Sequence, residues 1–183
     1  MHRQPLLEKL SRYRPVDERE MEMLDRLRSF VEGNSDCFER SLKVGHITGS
    51  AWVVDQTRSQ ALLVHHRKLN KWLQPGGHAD GDPDVLRVAL REAREESNLE
   101  VIRPVSDEIF DVDIHVIPAR AGEPEHLHYD VRFLFEADPN APLLVSHESR
   151  AVAWAPLAKI PELNSEESLM RMITKTSRGS STW

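Results

Sequence analysis

The stretch that decides the fold is residues 76–99, which read GGHADGDPDVLRVALREAREESNL. The two adjacent glycines at its start are typical of a sharp backbone turn or of a close approach to a ligand. Asp82 suits the N-cap and Pro83 the first helical position, so we predict a helix from Asp82 to Asn98. The apolar residues at helical spacing are Leu86, Ala89, Leu90 and Ala93.

Three glutamates, Glu92, Glu95 and Glu96, share one face of this predicted helix because they stand at positions i, i+3 and i+4. Like charges at this spacing repel one another, so the arrangement costs stability unless something positive neutralises it. Arg91 and Arg94 would do so on an ordinary solvated helix. A bound Mg²⁺ or Mn²⁺ would also do so, because these ions prefer oxygen ligands.

The same stretch resembles the Nudix box. That motif reads Gly, five residues, Glu, seven residues, Arg-Glu, an apolar residue, any residue, Glu-Glu, any residue, Gly, and an apolar residue. The matching positions are Gly77, Arg91, Glu92, Ala93, Glu95, Glu96 and Leu99, with Arg94 at a free position. Asn98 replaces the last Gly, a mild change because Asn tolerates a left-handed helix cap. Pro83 replaces the first Glu, so Asp82 takes that role after a one-residue shift, or the acidic position is lost.

The resemblance implies an α/β fold in which a mixed β-sheet lies between helices, the Nudix α/β/α sandwich. It also implies that Glu92, Glu95 and Glu96 bind Mg²⁺ or Mn²⁺, together with the carbonyl of Gly76. Arg91 would orient the glutamates by salt bridges. The catalytic base in this superfamily is a box glutamate or a residue from a distant loop. We therefore expect Glu92 to be a metal ligand or the base, and Glu148 is the candidate for a base that lies outside the box.

The rest of the chain alternates between strand and helix patterns, which favours an α/β or α+β class. We predict strands at 46–55, 61–64, 110–116, 126–135 and 152–154, and helices at 15–33 and 162–176. We expect residues 68–77 to form a loop. The organisation is then an N-terminal helical extension at 1–40, a Nudix domain at 41–178 and a loose tail at 179–183.

Nine histidines suggest a second metal site. His46 precedes the first core strand, His78 follows the two glycines, and His128 and Asp130 share a face of a later strand, so the four could hold Zn²⁺ or Mn²⁺. Alternatively, the histidines hydrogen-bond loops or substrate phosphate. The arrangement resembles that of the isopentenyl-diphosphate isomerases. They bind a metal through histidines at the positions of His46 and His78 and through paired glutamates at the positions of His128 and Asp130.

Two positions depart from this pattern. Another isomerase histidine falls near Glu39, so the match is incomplete. The reactive cysteine of those isomerases falls at Gly76 in this chain, which argues against isomerase activity itself.

Basic and aromatic residues near the predicted loop are candidates for substrate binding. Arg67 and Lys71 could contact phosphate oxygens, although an ordinary basic surface loop has the same composition. Trp72 could stack on a base or could anchor the loop by burial. Arg132, on the polar face of a strand, is a further candidate for phosphate binding.

The composition restricts the partners and the cell compartment. A net charge of −6 argues against binding to a nucleic acid polymer, because phosphate contacts need a positive surface. The single cysteine, Cys37, excludes an intramolecular disulfide, and no apolar stretch has the length of a membrane span. We therefore expect a cytoplasmic protein with no membrane partner, and the N-terminal helix could serve a homodimer.

Three classes of function follow. The first is metal-dependent hydrolysis of a small molecule that contains a diphosphate, by attack of water on phosphorus. The second is an isomerase-like metal enzyme that acts on another diphosphate. The third is a non-catalytic sensor that binds a nucleotide, an interpretation that the loss of the first box glutamate would favour.

Overall fold

The computed structural model describes residues 2–119, 122, 124–147 and 149–178, and the chain within it divides into two compact units. The first unit comprises Met1–Ser50, Gly76–Ala89 and Glu108–Phe133, and the second comprises Ala51–Pro75, Leu90–Asp107 and Leu134–Trp183. The predicted base candidate Glu148 and the predicted tail at 179–183 lie outside the described residues.

Helices and strands intermix along the chain, as the sequence predicts. The helices are α1 (Gln4–Arg12), α2 (Glu18–Gly33), α3 (Val85–Ser97), α4 (Ile160–Leu163) and α5 (Glu167–Arg178), with a 3-10 turn at Leu157–Lys159. The strands are β1 (Gly45–Val54), β2 (Gln60–His66), β3 (Lys71–Leu73), β4 (Gly76–His78), β5 (Ile102–Pro104), β6 (Asp111–Ile117), β7 (His126–Ala137) and β8 (Ser149–Pro156). None of the helices among the described residues is both long and apolar enough to cross a membrane.

The described strands join in one eight-stranded sheet. Its path runs β3-β2-β1-β7-β5, with β4 beside β1, β6 beside β7 and β8 beside β2. In the first unit, β4 pairs antiparallel with β1, so that His78 lies opposite Thr48. In the same unit, β6 pairs antiparallel with β7, so that His115 lies opposite His128. Because of these two pairings, polar side chains from β1, β4, β6 and β7 lie in the first unit.

The N-terminal region differs from the single helix predicted at 15–33. The structure has α1 in addition, and α2 begins only at Glu18, where Asp17 accepts a hydrogen bond from the backbone N–H of Glu20. Leu24, Leu27 and Val31 are buried within the chain itself. Met21, predicted on the same stripe, is 51% exposed. The apolar stripe of α2 therefore packs on its own unit.

Two other expectations about elements are wrong. The region 68–77 is not a plain loop, because it contains β3 and the start of β4. The helix predicted at 162–176 is two helices, interrupted where the side chain of Asn164 accepts a hydrogen bond from the backbone of Glu166. On the polar face of β6 and β7, Asp111, Asp130 and Arg132 are at most 3% exposed.

Candidate active site and histidine cluster

The three predicted glutamates lie on α3 with very different exposure, and among the residues that the structure describes their carboxylate oxygens do not form a group as close as a shared ion requires. Glu96 is buried, the Glu92 side chain is 17% exposed and the Glu95 side chain is 62% exposed. Nη2 of Arg91 lies 2.7 Å from Oε1 of Glu92, and Nε of Arg91 lies 3.9 Å from Oε1 of Glu95. One guanidinium therefore contacts two of the three box glutamates.

The C-terminal end of α3 confirms that Asn98 serves as a left-handed cap. Its φ is +62°, and its backbone N–H donates to the carbonyl of Arg94 at 2.8 Å. Glycine is the usual residue at such a position because it has no Cβ to clash, and Asn is the common substitute. The departure from the Nudix box at this position therefore leaves the helix end intact.

The N-terminal end of α3 differs from the prediction. The helix begins at Val85, and Asp84 acts as its cap, since its carboxylate accepts a hydrogen bond from the backbone of Arg87 at 3.2 Å. Asp82 lies in the preceding turn, where it accepts from the backbone of Asp84 at 2.9 Å. Its two carboxylate oxygens also pair with the Arg87 guanidinium at 2.8 and 2.6 Å. Asp82 is therefore not the N-cap of α3. That Asp82 takes the role of the first glutamate of the Nudix box stays a prediction.

Gly76 shows why the turn before the helix needs glycine. A Cβ placed there would collide with the side chain of Ser50 on the neighbouring strand β1. The second glycine, Gly77, lies opposite Gly49 in the same pairing. Glycine thus permits β4 to approach β1 closely. The role of the Gly76 carbonyl as a metal ligand stays a prediction.

Three of the predicted second-site residues meet in the first unit. His46, His78 and His128 each offer one ring nitrogen, and these three atoms lie within 4.8 Å of one another. The ring centroids are 4.9 Å apart for His46 and His78, 4.8 Å for His46 and His128, and 5.0 Å for His78 and His128. We call these three residues the histidine cluster.

The histidine cluster contains unsatisfied nitrogens. His46 is 3% exposed, and neither of its ring nitrogens forms a hydrogen bond within the described residues. The same is true of Nε2 of His128. Leaving such a buried polar atom unpaired costs about 1–3 kcal/mol.

Burial also acts on the protonation of these rings. Burial first, and then the neighbouring imidazoles, lowers the pKa of His46 to about 4 and that of His128 to about 2. The backbone of Leu42 raises the pKa of His46, against the larger effect of burial. Its position does not meet the geometry of a hydrogen bond to either ring nitrogen. Both rings are therefore neutral at pH 7, with lone pairs available for a cation.

Asp130, the fourth predicted member, is bound elsewhere. Its Oδ1 accepts from Thr48 at 2.9 Å and from Ser50 at 2.7 Å, and its Oδ2 accepts from Nε of Arg132 at 2.7 Å. The structure therefore places Asp130 among β1 hydroxyls and a guanidinium, outside the histidine cluster.

Arg132 lies at the centre of a buried ionic cluster. Besides Asp130, its guanidinium contacts Asp111 at 3.4 Å and Asp113 at 3.2 Å. Burial alone would lower the pKa of Arg132, but the three aspartates raise it above its ordinary value. Because the side chain is only 3% exposed and pairs with three carboxylates, this geometry gives no support to the predicted phosphate contact.

The predicted substrate-binding residues of the second unit lie on or beside β3. Arg67 donates to the Ser149 carbonyl at 3.0 Å, and Lys71 pairs with Glu166. Trp72 is partly exposed and stacks on His65 with ring centroids 5.1 Å apart, while its carbonyl accepts from Asn164. Trp72 is therefore not fully buried, and one face of its ring is already stacked on His65.

Sequence reasoning missed two histidines that flank the histidine cluster. The His126 ring lies 5.0 Å from that of His46, and the His115 ring lies 5.4 Å from that of His128. His126 was recognisable from the sequence, because it stands two residues from His128 and so shares its strand face. The pairing of His115 with His128 required the register of β6 against β7.

Comparison with known proteins identifies the family. The model of the family described as NUDIX domain matches residues 46–175, which is more than half of the 183 residues. The chain therefore belongs to the NUDIX family and is an enzyme of the Nudix hydrolase type. No curated protein matches its sequence.

Solved structures agree on the fold at low identity. An Ap4A hydrolase of C. elegans, in a binary complex, is 18% identical, with a TM-score of 0.58 over 72% of this chain and 94% of that one. The E. coli dihydroneopterin triphosphate pyrophosphohydrolase is 13% identical, with a TM-score of 0.55 over 70% and 92%. A MutT protein of Methanosarcina mazei Go1 is 18% identical, with a TM-score of 0.52 over 77% and 99%. The α/β Nudix fold expected from the sequence is confirmed.

Proposed function

We propose that the chain hydrolyses a diphosphate bond in a nucleoside diphosphate linked to another group, or in a related small molecule, with Mg²⁺ or Mn²⁺. The observation that carries this proposal is that Glu92 and Glu95 both lie beside Arg91 on α3, with Glu96 buried on the same helix. Membership of the NUDIX family supports the same chemistry.

The donors fit the implied ion. Carboxylate oxygens suit Mg²⁺ and Mn²⁺, and the low exposure of Glu92 and Glu96 limits competition from water. When bound, such an ion polarises phosphorus and lowers the pKa of an attacking water. Arg91 would hold the carboxylates of Glu92 and Glu95 in place between turnovers.

The general base and the substrate contacts follow from the same proposal. Glu92 is our choice for ligand or base, and Glu148 is the alternative from outside the box. Arg67 and Lys71 would contact phosphate oxygens once they exchange their partners in the second unit for substrate, and Trp72 would stack on a ring of the substrate. The C. elegans and E. coli proteins, by name, act on Ap4A and on dihydroneopterin triphosphate, and both compounds contain phosphoanhydride bonds.

Two other functions have one observation each in their favour. The histidine cluster favours a metal-assisted reaction on another diphosphate, of the isomerase kind. Pro83 at the position of the first box glutamate favours a sensor that binds a nucleotide without hydrolysis. Conversion of an allylic diphosphate with no release of phosphate would identify the first, and nucleotide binding with no product would identify the second.

The expectations of a cytoplasmic location and of a homodimer belong to this proposal as well. A dimer that used α2 would have to form on the side of Met21, because the apolar stripe of that helix is already buried. The mass of the purified protein in solution, measured by light scattering, decides between one copy and two.

The experiment is a panel of diphosphate compounds assayed with Mg²⁺ and with Mn²⁺, with products identified by mass spectrometry. We expect Glu92→Gln and Glu96→Gln each to lower kcat/KM by about 10²-fold or more, because each removes a ligand or the base. Glu100→Gln is the matched control, since Glu100 is an exposed glutamate just beyond the helix. Full activity in both box variants, with folding intact by circular dichroism, would refute the assignment.

A further inference from the structure

The imidazoles of β1, β4 and β7 form a set that diphosphate hydrolysis at the glutamate helix does not use. We propose that His46, His78 and His128 bind one transition-metal ion of the Zn²⁺ type. The proposal goes beyond the proposed hydrolysis, because it concerns other residues and another class of ion.

The geometry allows a shared ion. Three atoms that are no more than 4.8 Å apart all lie within about 2.8 Å of a common centre, which is 4.8 Å divided by √3. A Zn–N bond is about 2.0–2.1 Å long, so each ring has to move inward by less than about 1 Å. Pairing of β4 with β1 sets His78 opposite Thr48, two residues from His46, so the strands hold the three positions together.

Two of the three rings lack the partners that buried nitrogens normally have. His46 is 3% exposed, and both of its ring nitrogens are unpaired within the described residues, as is Nε2 of His128. Buried polar side-chain atoms in folded proteins almost always have a hydrogen-bond partner or a ligand. An ion at the centre of the histidine cluster would supply that partner to His46 and to His128.

The rings of the histidine cluster do not stack face to face, since their planes are tilted by 53°, 53° and 85° to one another. Edge-to-face packing of aromatic rings has such angles as well. The observation that favours coordination is therefore the closeness of one nitrogen from each ring, which lie within 4.8 Å of one another.

The donor set selects the ion. Three imidazole nitrogens suit Zn²⁺, Cu²⁺, Ni²⁺ or Fe²⁺, whereas Mg²⁺ prefers oxygen. Asp130 is held by Thr48, Ser50 and Arg132, so the set contains no carboxylate. Three protein ligands leave one tetrahedral position open to water or to a further ligand. His126 is a further imidazole beside His46, and its Nδ1 lies 2.9 Å from the Pro124 carbonyl.

The test uses Co²⁺ as a spectroscopic substitute for Zn²⁺. Untagged full-length protein is stripped with a chelator and exposed to Co²⁺ in the presence of excess Mg²⁺; bound cobalt is then counted by elemental analysis and by visible absorption. We expect one equivalent of Co²⁺ per chain, with the strong absorption bands of four-coordinate Co²⁺. We also expect Zn²⁺ to displace it.

Variants locate the ion. His78→Ala and His128→Ala should each weaken Co²⁺ binding by at least about 10-fold, because losing even an indirect partner of a metal ligand costs about 10–100-fold. His147→Ala is the control, since His147 is exposed and lies outside the histidine cluster. His78 is only partly buried, so His78→Ala decides the matter if His128→Ala fails to fold.

The outcomes separate this proposal from the proposed hydrolysis. Glu92→Gln and Glu96→Gln should lose diphosphate hydrolysis and keep their Co²⁺. Absence of Co²⁺ binding in the wild type, or equal binding in folded His78→Ala, overturns the proposal whatever the hydrolysis assay gives.

Discussion

Replacing Arg132 by methionine tests whether its guanidinium serves the fold or the substrate. The side chain is 3% exposed and contacts Asp130 at 2.7 Å, Asp113 at 3.2 Å and Asp111 at 3.4 Å. Methionine fills a similar volume without charge. The substitution therefore takes the guanidinium away from three carboxylates, two of which are at most 2% exposed.

The expected loss is large. Removing one partner of a buried ion pair costs about 3–5 kcal/mol, since the remaining charge stays buried without compensation. For a chain of this size, each kcal/mol lowers Tm by roughly 2–4 °C, so we expect a decrease of about 6–20 °C. Thr48 and Ser50 still donate to Asp130, which favours the lower part of that range.

Urea unfolding followed by circular dichroism measures the loss directly. Arg150→Met is the control, because Arg150 is exposed and donates to the exposed side chain of Asn70, so its effect should stay within about 0.5 kcal/mol. Adding Asp111→Asn to Arg132→Met should restore part of the stability by removing one buried charge. An Arg132→Met variant as stable as the wild type, with a raised KM for the diphosphate substrate, would refute this reasoning and favour the phosphate contact.

Two further outcomes follow from local geometry. Asn98→Ala should destabilise the protein by about 1 kcal/mol, because Asn98 has a φ of +62°. Asn98→Gly should be neutral or slightly stabilising. Equal unfolding midpoints for the two variants would contradict the left-handed cap. Burial raises the pKa of Cys37 to about 11. At pH 8, its reaction with a thiol reagent should therefore be about 10²-fold slower than that of free cysteine. Fast labelling of the folded protein would contradict the burial of Cys37.

The sequence predicts the parts of the fold that depend on local patterns. The strand at 46–55, the alternating strands at 110–116 and 126–135, and the glutamate helix all appear within a few residues of their expected bounds. The two alternating strands and the helix have a clear hydrophobic period, and the strand at 46–55 has a short continuous apolar run at 51–54. The left-handed cap at Asn98 follows from residue type alone.

Elements that depend on distant partners do not have such a signal. Helix α1 has two buried leucines and no side-chain cap, and Arg3 ties its start to the carbonyls of Val31 and Glu32 at the end of α2. Strands β3 and β4 have three residues each, and pairing with β2 and β1 defines them. Short segments like these acquire their conformation from tertiary contacts.

The candidate sites divide in the same way. Spacing along α3 predicts that Glu92, Glu95 and Glu96 share a face. Alternation along β7 correctly places His128 and Asp130 on one face, but only the neighbouring strand shows that hydroxyls of β1 bind Asp130. Side-chain partners across a sheet depend on register, which the sequence of one strand does not contain.

The most direct test of the central claim is anomalous diffraction from a crystal soaked in Mn²⁺. The claim is that acidic side chains on successive turns of α3 are held together by a divalent ion. We predict an anomalous peak at about 2.0–2.2 Å from carboxylate oxygens of Glu92 and Glu96, absent in crystals of Glu96→Gln. Well-ordered carboxylates with no peak between them, at Mn²⁺ concentrations that support hydrolysis, would contradict the account.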